Sequence, residues 1–311
     1  MQTMLYYAGL ALVRVLQALP LRVVARLGRA CGEVCYWLDA RHRKVALANL
    51  TACFGNELSD AQLRALVREN FRRIGENFAC VPKTACMRWD KLSRHVEVVG
   101  GEKLAPPGMP PRRVVVAIGH FGNFELYARF AELAPDYKCA TTYRALRQPG
   151  LAKLLQQLRS SSGCLFFERR TQGNELRAFM RRSDVILGLI ADQHAGRSGL
   201  RVPFFGRECS TSPAPAIFAL KYNCPLFTAV CYRIGLAMWR LEVGDEIPVR
   251  QNGKPRALDA IMRDVNRAFE AAAQRDLANW FWVHNRWKSP GRARSFALAR
   301  AAQLVEQPAS H

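Results

Sequence analysis

Cysteine patterns that bind metal are missing from this 311-residue chain, although it contains ten cysteines. None of them forms a C-x-x-C pair, and no paired histidines complete a zinc pattern, so we predict no metal site. Several cysteines lie in apolar runs, for example Cys164 and Cys231. Such cysteines are mostly small buried apolar residues. We therefore expect reduced thiols, as in the cytosol, rather than a disulfide framework.

Acidic residues are scarce as well. The chain has 25 of them against 46 lysines and arginines, which gives a formal net charge of +21. This excess favours an anionic partner: an anionic membrane surface, a phosphorylated lipid, an acidic carrier protein or a nucleic acid. A generally basic, solvated surface is the alternative. No recognised nucleic-acid-binding module accompanies the charge, so we expect no nucleic-acid partner.

A long apolar run of the kind that spans a membrane is also missing near the N-terminus. Residues 1–13 are uncharged, and Arg14 ends the run short of the roughly 20 residues that a span requires. A single-span N-terminal anchor is the alternative if Arg14 snorkels and the run extends beyond it. No basic stretch precedes the run and no small-residue cleavage site follows it, so we predict no secretory signal. Arg22, Arg26 and the patch 41–44 follow, which favours an interfacial helix on an anionic leaflet. An ordinary helix packed on the core is the alternative.

The rest of the chain alternates between strand and helix patterns. Half of its residues are hydrophobic, which is enough for a large core. We predict an α/β fold: a single domain with a mixed, largely parallel sheet flanked by helices. The expected strands cover residues 95–99, 114–118, 139–143, 164–167, 185–190, 226–231 and 236–243. The expected helices cover residues 149–160, 175–182, 214–221 and 258–274, together with one that begins at a capping box at Ser59 and ends before Pro82.

We divide the chain into three parts. Residues 1–90 form an N-terminal helical, membrane-associating segment, and residues 91–288 form the α/β core together with those helices. Residues 289–311 form a basic C-terminal tail.

The run 114–118 leads directly into Gly119-His120-Phe121-Gly122-Asn123-Phe124-Glu125. Five apolar, mostly β-branched residues predict a buried strand of a parallel sheet, and chemistry in such sheets lies at the carboxyl ends of the strands. Five residues turn a helix by about 140°, so His120 and Glu125 would not share a helical face. They approach each other if His120 lies on the strand-to-helix turn and Glu125 in the first helical turn. We predict a base with an orienting carboxylate, which can activate a hydroxyl.

Structural alternatives exist for each of these residues. His120 alone would most often be a hydrogen-bonded core histidine, and Glu125 is favoured at a helix N-terminus by the helix dipole. Gly122 and Asn123 lie at the expected helix start, where free N–H groups bind an oxyanion or phosphate, or where they serve only the turn. Arg144 follows a strand that we expect beside the catalytic one. There it binds a phosphate or oxyanion, or forms a structural ion pair with Asp192.

Several aromatic and basic residues near the C-terminus permit two interpretations. The tryptophans at 280, 282 and 287 lie at the level of lipid headgroups or pack within the fold. Phe204 and Phe205 line an acyl channel or, as is commoner for such residues, belong to the core. We expect His284 and Arg286 to be structural.

Taken together, the motifs resemble those of a known family. His120-Phe121-Gly122-Asn123-Phe124-Glu125 resembles the H-x4-[DE] signature of glycerolipid and lysophospholipid acyltransferases, in the form typical of the late (lauroyl/myristoyl) acyltransferases of lipid A biosynthesis. Further matches follow the same order along the chain, from about residue 40 to 288: Arg43-x-Val45 with Asn49-Leu50 and Phe54, Tyr143-Arg144, Asp192-Gln193, Val202-Pro203-Phe204-Phe205-Gly206, and Trp282 to Lys288. Phe124 stands where the family usually has tryptophan.

The resemblance implies a glycerolipid-acyltransferase-like fold on the cytoplasmic face of a bacterial inner membrane. It implies transfer of an acyl chain from acyl carrier protein or CoA to a hydroxyl of a phosphorylated glycolipid, a lipid A precursor or a related lipid, without metal or redox cofactor. By position, His120 is the general base and Glu125 its partner. The expected substrate-binding residues are Gly122, Asn123, Arg144, Asp192 and Gln193.

Two alternatives to this function stay open. One is the same chemistry on a lysophospholipid, an ornithine lipid or other aminolipid, or a phosphatidylinositol mannoside. The other, of a different class, is a non-catalytic basic protein that binds membrane or nucleic acid.

Overall fold

A computed structural model describes residues 2–146 and 148–288 of the chain. The helices in these residues are α1 (Gln2–Ala18), α2 (Leu21–Leu38), α3 (Ala40–Phe54), α4 (Asp60–Cys86), α5 (Trp89–Leu92), α6 (Pro149–Ser160), α7 (Gly173–Phe179), α8 (Ala214–Lys221) and α9 (Leu258–Arg275). Three 3-10 helices cover Gly101–Lys103, Phe124–Glu132 and Gly196–Ser198. The expected tail at 289–311 lies outside the described residues.

The strands in the same residues are β1 (Val96–Val99), β2 (Val114–Ile118), β3 (Lys138–Tyr143), β4 (Leu165–Glu168), β5 (Val185–Ile190), β6 (Leu200–Phe204), β7 (Arg207–Thr211), β8 (Leu226–Gly235), β9 (Met238–Ile247), β10 (Arg250–Gln251) and β11 (Lys254–Pro255). The hairpin of β6 and β7 was not predicted from the sequence. Its turn places Phe205 and Gly206 at positive φ, which suits a two-residue hairpin loop.

Seven strands form the central sheet in the order β1-β9-β8-β2-β5-β3-β4. All neighbouring pairs are parallel except β8 and β9, so the sheet is mixed and largely parallel, as predicted. Strand β2 is fully buried between β5 and β8, as its apolar run indicated. The strand that precedes Arg144 was expected beside β2, which is wrong, because β5 lies between β2 and β3.

Helix α4 begins at the predicted capping box, in which the side chains of Ser59 and Gln62 bind each other's backbone N–H. The predicted end before Pro82 is wrong, because the helix continues to Cys86. The last turn is held by a tertiary contact that no local pattern shows. The buried Arg129 guanidinium donates to the carbonyls of Thr84 (2.6 Å) and Met87 (2.7 Å), and a cation there also complements the helix dipole.

The N-terminal helices pack on α4 through small residues. A Cβ at Gly32 would lie 2.3 Å from the Phe71 carbonyl oxygen, and one at Gly75 would lie 2.2 Å from the Gly28 carbonyl oxygen. Helices α2 and α4 therefore cross with their backbones in contact. No helix in the described part of the chain is long and apolar enough to cross a membrane.

Candidate active site

His120 and Asp192 meet at the carboxyl edge of the sheet. Strands β2 and β5 are parallel neighbours in which Ile118 pairs with Ile190, so His120 and Asp192 each lie two residues beyond that pair. The Asp192 carboxylate is fully buried. Its Oδ1 lies 2.9 Å from Nδ1 of the His120 ring, and its Oδ2 accepts the His120 backbone N–H at 2.9 Å. One carboxylate thus fixes both the ring and the backbone of the histidine.

The carboxylate of Asp192 is ionised. Burial alone would raise its pKa, but the positive charge and hydrogen bonds of His120 and a hydrogen bond from Trp280 outweigh burial and lower the pKa to about 2. The Trp280 indole N–H donates to Oδ2 at 2.9 Å. Because an ionised carboxylate only accepts, His120 carries its hydrogen on Nδ1 in the neutral form. Nε2 is then the basic nitrogen.

Glu125 does not orient His120 in this structure, contrary to prediction. It lies in the first turn of the 3-10 helix, as expected, but its carboxylate binds Arg159 on α6 through two hydrogen bonds, of 2.5 and 3.1 Å. Arg159 also lies over the Phe166 ring, 4.9 Å from its centre. Asp192 already binds Nδ1 of His120. Asp192 lies beside the ring because β2 and β5 are adjacent strands that end at the same edge of the sheet.

The predicted pair of Arg144 and Asp192 is likewise absent. Asp192 is enclosed by His120 and Trp280, whereas Arg144 is exposed. The prediction failed because it placed β3 next to β2.

The Gly122 N–H is already bonded and is not free for the predicted oxyanion site. It donates to the Asn279 carbonyl oxygen at 3.2 Å. Gly122 has φ of +50°, and a Cβ there would lie 2.6 Å from the Cys231 carbonyl oxygen. Gly122 therefore serves the turn, which was the structural alternative. The buried Asn123 side chain caps no N–H of the 3-10 helix and has no hydrogen-bond partner among the described residues.

A cavity of about 1000 Å³ lies beside His120, between one face of the sheet and the 3-10 helix Phe124–Glu132. Its deep wall is apolar and includes Val116, Ile118, Ile186, Ala229, Val243 and Phe130. Its polar end includes His120, the Glu125–Arg159 pair, Arg144, Gln193 and His194. Of the predicted substrate-binding residues, Arg144 and Gln193 line the cavity. Gly122, Asn123 and Asp192 do not.

The segment after α9 closes the site from behind, through residues that sequence reasoning did not assign. Asn70 on α4 donates to the carbonyls of Ala278 (2.9 Å) and Trp280 (2.6 Å). Asn49 on α3 donates to the carbonyls of Trp282 and His284, each at 2.8 Å. The only sequence signal was the place of Asn49 in the early element formed by Arg43, Val45, Asn49-Leu50 and Phe54. These contacts position the indole that binds Asp192.

Arg286 is buried and bonds the backbone around the site, whereas His284, also expected to be structural, lines the cavity that His120 borders. The buried guanidinium of Arg286 donates to the carbonyls of Gln193 (3.0 Å) and Ser210 (2.5 Å) and to the Thr211 hydroxyl. Burial, with nearby positive charge, lowers the pKa of His284 to about 4, and its Nε2 accepts the His194 N–H at 3.0 Å.

The aromatic residues also belong to the fold. Trp280 and Trp282 are buried, so a position among lipid headgroups is wrong for them. Phe204 is buried in the same cluster, and its ring lies 5.1 Å from Trp280. No cluster of three or more histidine, cysteine or carboxylate side chains in the described residues is placed to hold a metal ion.

A buried histidine–aspartate pair at the carboxyl edge of a largely parallel sheet, beside a cavity with an apolar wall, is the arrangement of an α/β enzyme. Sequence comparison gives the family. The profile of the family described as bacterial lipid A biosynthesis acyltransferase matches residues 1–289, and the chain belongs to this family of acyltransferases.

Two curated relatives show how distant the similarity is. The chain is 25% identical over 209 residues to the lipid A biosynthesis lauroyltransferase of Escherichia coli (strain K12). That match covers 66% of this chain and 65% of the relative, just under two thirds of its length. It is 23% identical over 295 residues to the lipid A biosynthesis acyltransferase of Haemophilus influenzae (strain ATCC 51907 / DSM 11121 / KW20 / Rd), which covers 92% of this chain and 90% of the relative.

Proposed function

We propose that this protein transfers a fatty acyl chain from an acyl thioester, of acyl carrier protein or CoA, to a hydroxyl of a lipid A precursor or related phosphorylated glycolipid. The observation that carries the proposal is the His120–Asp192 pair at the polar end of an apolar cavity. Membership in the lipid A biosynthesis acyltransferase family supports it, as do the names of the two relatives.

In the proposed reaction, Nε2 of His120 takes the proton of the acceptor hydroxyl. The oxygen then attacks the thioester carbonyl carbon, and the tetrahedral intermediate collapses with loss of the thiolate. The protonated His120 returns the proton to the sulfur. Asp192 keeps the ring in its productive orientation and stabilises the imidazolium, as the aspartate of a catalytic triad does. A positioned base of this kind contributes about 10² to 10⁴ in rate. The acyl thioester is the only co-substrate in this scheme.

The cavity provides for the acyl chain. Its sheet wall includes apolar side chains of β2, β5 and β8, and His120 lies next to them, beyond the end of β2. A chain in this space leaves its carbonyl at the polar end, where the base acts. The exposed fractions of the His120 and Asp192 side chains, 15% and 0%, show how far the pair is shielded from bulk water. Such shielding strengthens their electrostatic interaction.

We also propose an anionic membrane surface as a partner, contacted by α1 and α2. Sixteen large apolar side chains are exposed in the part of the chain that the structure describes, and nine of them lie between Met4 and Leu38. On α2, residues 27, 30, 31, 34, 35 and 38 form one exposed apolar stripe at helical spacing. No acidic residue precedes Glu33, whereas Arg14, Arg22 and Arg26 are exposed. This combination fits an anionic leaflet.

Helix α1 connects this surface with the cavity. It packs between α4 and α6, both of which contribute cavity-lining residues. The Gln17 side chain donates to the Pro82 carbonyl at 3.2 Å, and Pro82 lines the cavity. A protein resting on α1 and α2 therefore holds the cavity next to the lipid surface. We place it on the cytoplasmic face of the bacterial inner membrane, where acyl carrier protein, an acidic partner, has access.

The decisive experiment is mass spectrometry of lipid A and phospholipids from a deletion strain, complemented with wild-type protein, His120→Ala or His95→Ala. His95 is a matched control because its ring donates Nδ1–H to the Ala237 carbonyl oxygen at 2.9 Å and does not line the cavity. Loss of one acyl chain from lipid A, restored by wild type and His95→Ala but not by His120→Ala, would support the proposal. A change in another lipid, with lipid A unchanged, would support the same mechanism with that lipid as the acceptor. An unchanged lipid profile with the protein expressed would contradict acyl transfer.

A further inference from the structure

We propose that Arg144, Arg169 and Arg170 form a phosphate-binding site at the polar end of the cavity. The proposal rests on the acyl transfer proposed above and names the group by which a substrate is recognised there. All three side chains are exposed and line the cavity that His120 borders.

The sheet places the three arginines together. Strands β3 and β4 are parallel neighbours in which Tyr143 pairs with Glu168, so Arg144 and Arg169 are the next residues at the same edge. The Arg169 N–H donates to the Tyr143 carbonyl oxygen at 3.1 Å, which continues the strand pairing by one residue. Arg144 and Arg169, the first residues of the loops after β3 and β4, therefore lie side by side at the same edge of the sheet.

Glu168 orders the loop that carries Arg169 and Arg170. Its Oε2 accepts the N–H of Arg170 at 2.7 Å and the N–H of Thr171 at 2.9 Å. The Thr171 hydroxyl adds a third bond to the same oxygen, at 3.1 Å. Glu168 forms no ion pair with a described arginine, so the neighbouring guanidinium groups are left for another partner.

The charge around the cavity is strongly one-sided. Glu125 is the only carboxylate among the described residues that line it, and Arg159 binds Glu125 in a two-bond pair. Within the described residues, Arg144, Arg169 and Arg170 have no ion-pair partner, whereas most arginines near a carboxylate elsewhere are paired, for example Arg182 with Asp184. Three unpaired guanidinium groups above an apolar cavity fit a ligand that joins an anion to an apolar chain.

Phosphate is the anion that this arrangement favours. A guanidinium presents a planar pair of N–H donors that binds two phosphate oxygens at once. The phosphate has two possible sources in the proposed reaction: the headgroup of a glycolipid acceptor, or the phosphopantetheine arm that carries the thioester in acyl carrier protein and CoA.

The test compares wild type with Arg169→Gln/Arg170→Gln and with Arg182→Gln, which removes a paired arginine at the opposite edge of β5. Transfer kinetics are measured with a phosphorylated acceptor and its dephosphorylated form. We expect the double variant to raise the KM for the phosphorylated acceptor about tenfold or more, with little change in kcat. It should leave the KM for the dephosphorylated acceptor unchanged, and Arg182→Gln should resemble wild type.

A second pair of donors separates the two sources. If the KM rises for acyl carrier protein thioesters but not for a phosphate-free acyl thioester of N-acetylcysteamine, the bound phosphate belongs to the donor, and the site stands. The phosphate-binding site would be overturned if the double variant changed the KM equally for the phosphate-containing and phosphate-free forms of both the acceptor and the donor. A double variant that behaves like Arg182→Gln would also overturn it.

Direct binding makes this test independent of catalysis. Phosphatidic acid in neutral detergent micelles is titrated into wild type and the double variant, with circular dichroism to confirm equal folding. Arginine-dependent binding in a protein without transferase activity would contradict the proposed function but keep the site. Full transferase activity with identical substrate constants and identical binding in both proteins would remove the site and keep the function.

Discussion

Asp192 binds His120 at two points, 2.9 Å from the ring nitrogen Nδ1 and 2.9 Å from the backbone nitrogen. The aspartate therefore controls where the ring lies as well as which of its nitrogens is basic.

Replacement of Asp192 by Asn removes the charge that stabilises the imidazolium. We expect kcat to fall by about 10² to 10⁴. The loss is read from steady-state kinetics at constant pH. A variant with wild-type kcat would show that Asp192 does not position the base.

The folded protein also gains stability from this carboxylate. Its pKa of about 2 lies below the ordinary value of about 3.9 for aspartate. The contribution is therefore complete above about pH 4 and is lost as the pH falls toward 2. Urea unfolding between pH 2 and 5 should show a smaller acid loss in the Asn variant.

Replacement of Glu125 by Gln breaks the pair with Arg159 and leaves a cation uncompensated in the cavity. We expect a loss of activity, because the Arg159 guanidinium keeps its positive charge at the polar end of the cavity. Arg159→Met should be non-additive with it in a double-mutant cycle. Additive losses of kcat/KM would show that the two residues act independently.

Polar substitutions along the α2 stripe should weaken membrane binding. The triple variant Leu27→Ser/Val34→Ser/Leu38→Ser removes three exposed apolar side chains. We expect at least about a tenfold loss of partitioning to anionic vesicles, since burial of each such side chain is worth about 1.5–3 kcal/mol. Met109→Ser, equally exposed but distant in sequence, is the matched control. Equal binding of all three proteins in vesicle sedimentation would contradict the proposed surface.

Gly122→Ala should destabilise the protein more than Gly108→Ala. Both glycines have positive φ, but a Cβ at Gly122 meets the Cys231 carbonyl oxygen at 2.6 Å, whereas nothing lies within 4 Å at Gly108. Positive φ alone costs about 1–3 kcal/mol, and the contact adds to it at Gly122 only. The difference in the free energy of unfolding, from urea denaturation, measures the contact.

His284 should make stability depend on pH in the mildly acidic range. Burial lowers its pKa to about 4, below the ordinary 6.5, so the unfolded chain binds a proton more readily. Stability therefore falls as the pH drops from about 6.5 to 4. His284→Gln, which retains an acceptor for the His194 N–H, should flatten that part of the curve. A curve as steep as that of wild type would assign the dependence to another group.

Local sequence patterns predicted the positions of helices and strands better than they predicted which strands and side chains contact each other. The run 114–118, the capping box at Ser59 and the position of Glu125 in a first helical turn are all confirmed, since each depends on neighbouring residues. The partner of His120 was missed because strand order is a long-range property. Once β5 is known to adjoin β2, the equal offset of His120 and Asp192 from the paired isoleucines gives the contact directly.

The residues behind the site could not be predicted for a related reason. Asn49 and Asn70 bind backbone carbonyls. Because every residue has a backbone carbonyl, the sequence does not show which one a side chain binds. Their side chains are ordinary polar positions on helices until the segment they bind has been placed.

The contacts of Asn49 and Asn70 join segments more than 200 residues apart, at 233 and 210 positions. A ribosome must therefore synthesise the chain beyond residue 280 before Trp280 can reach Asp192. Contacts between residues so far apart in the sequence form late in folding. A nascent chain with β2 and β5 in place thus has its histidine and aspartate but not the wall behind them, and we expect it to stay without activity until the last tryptophans leave the ribosome.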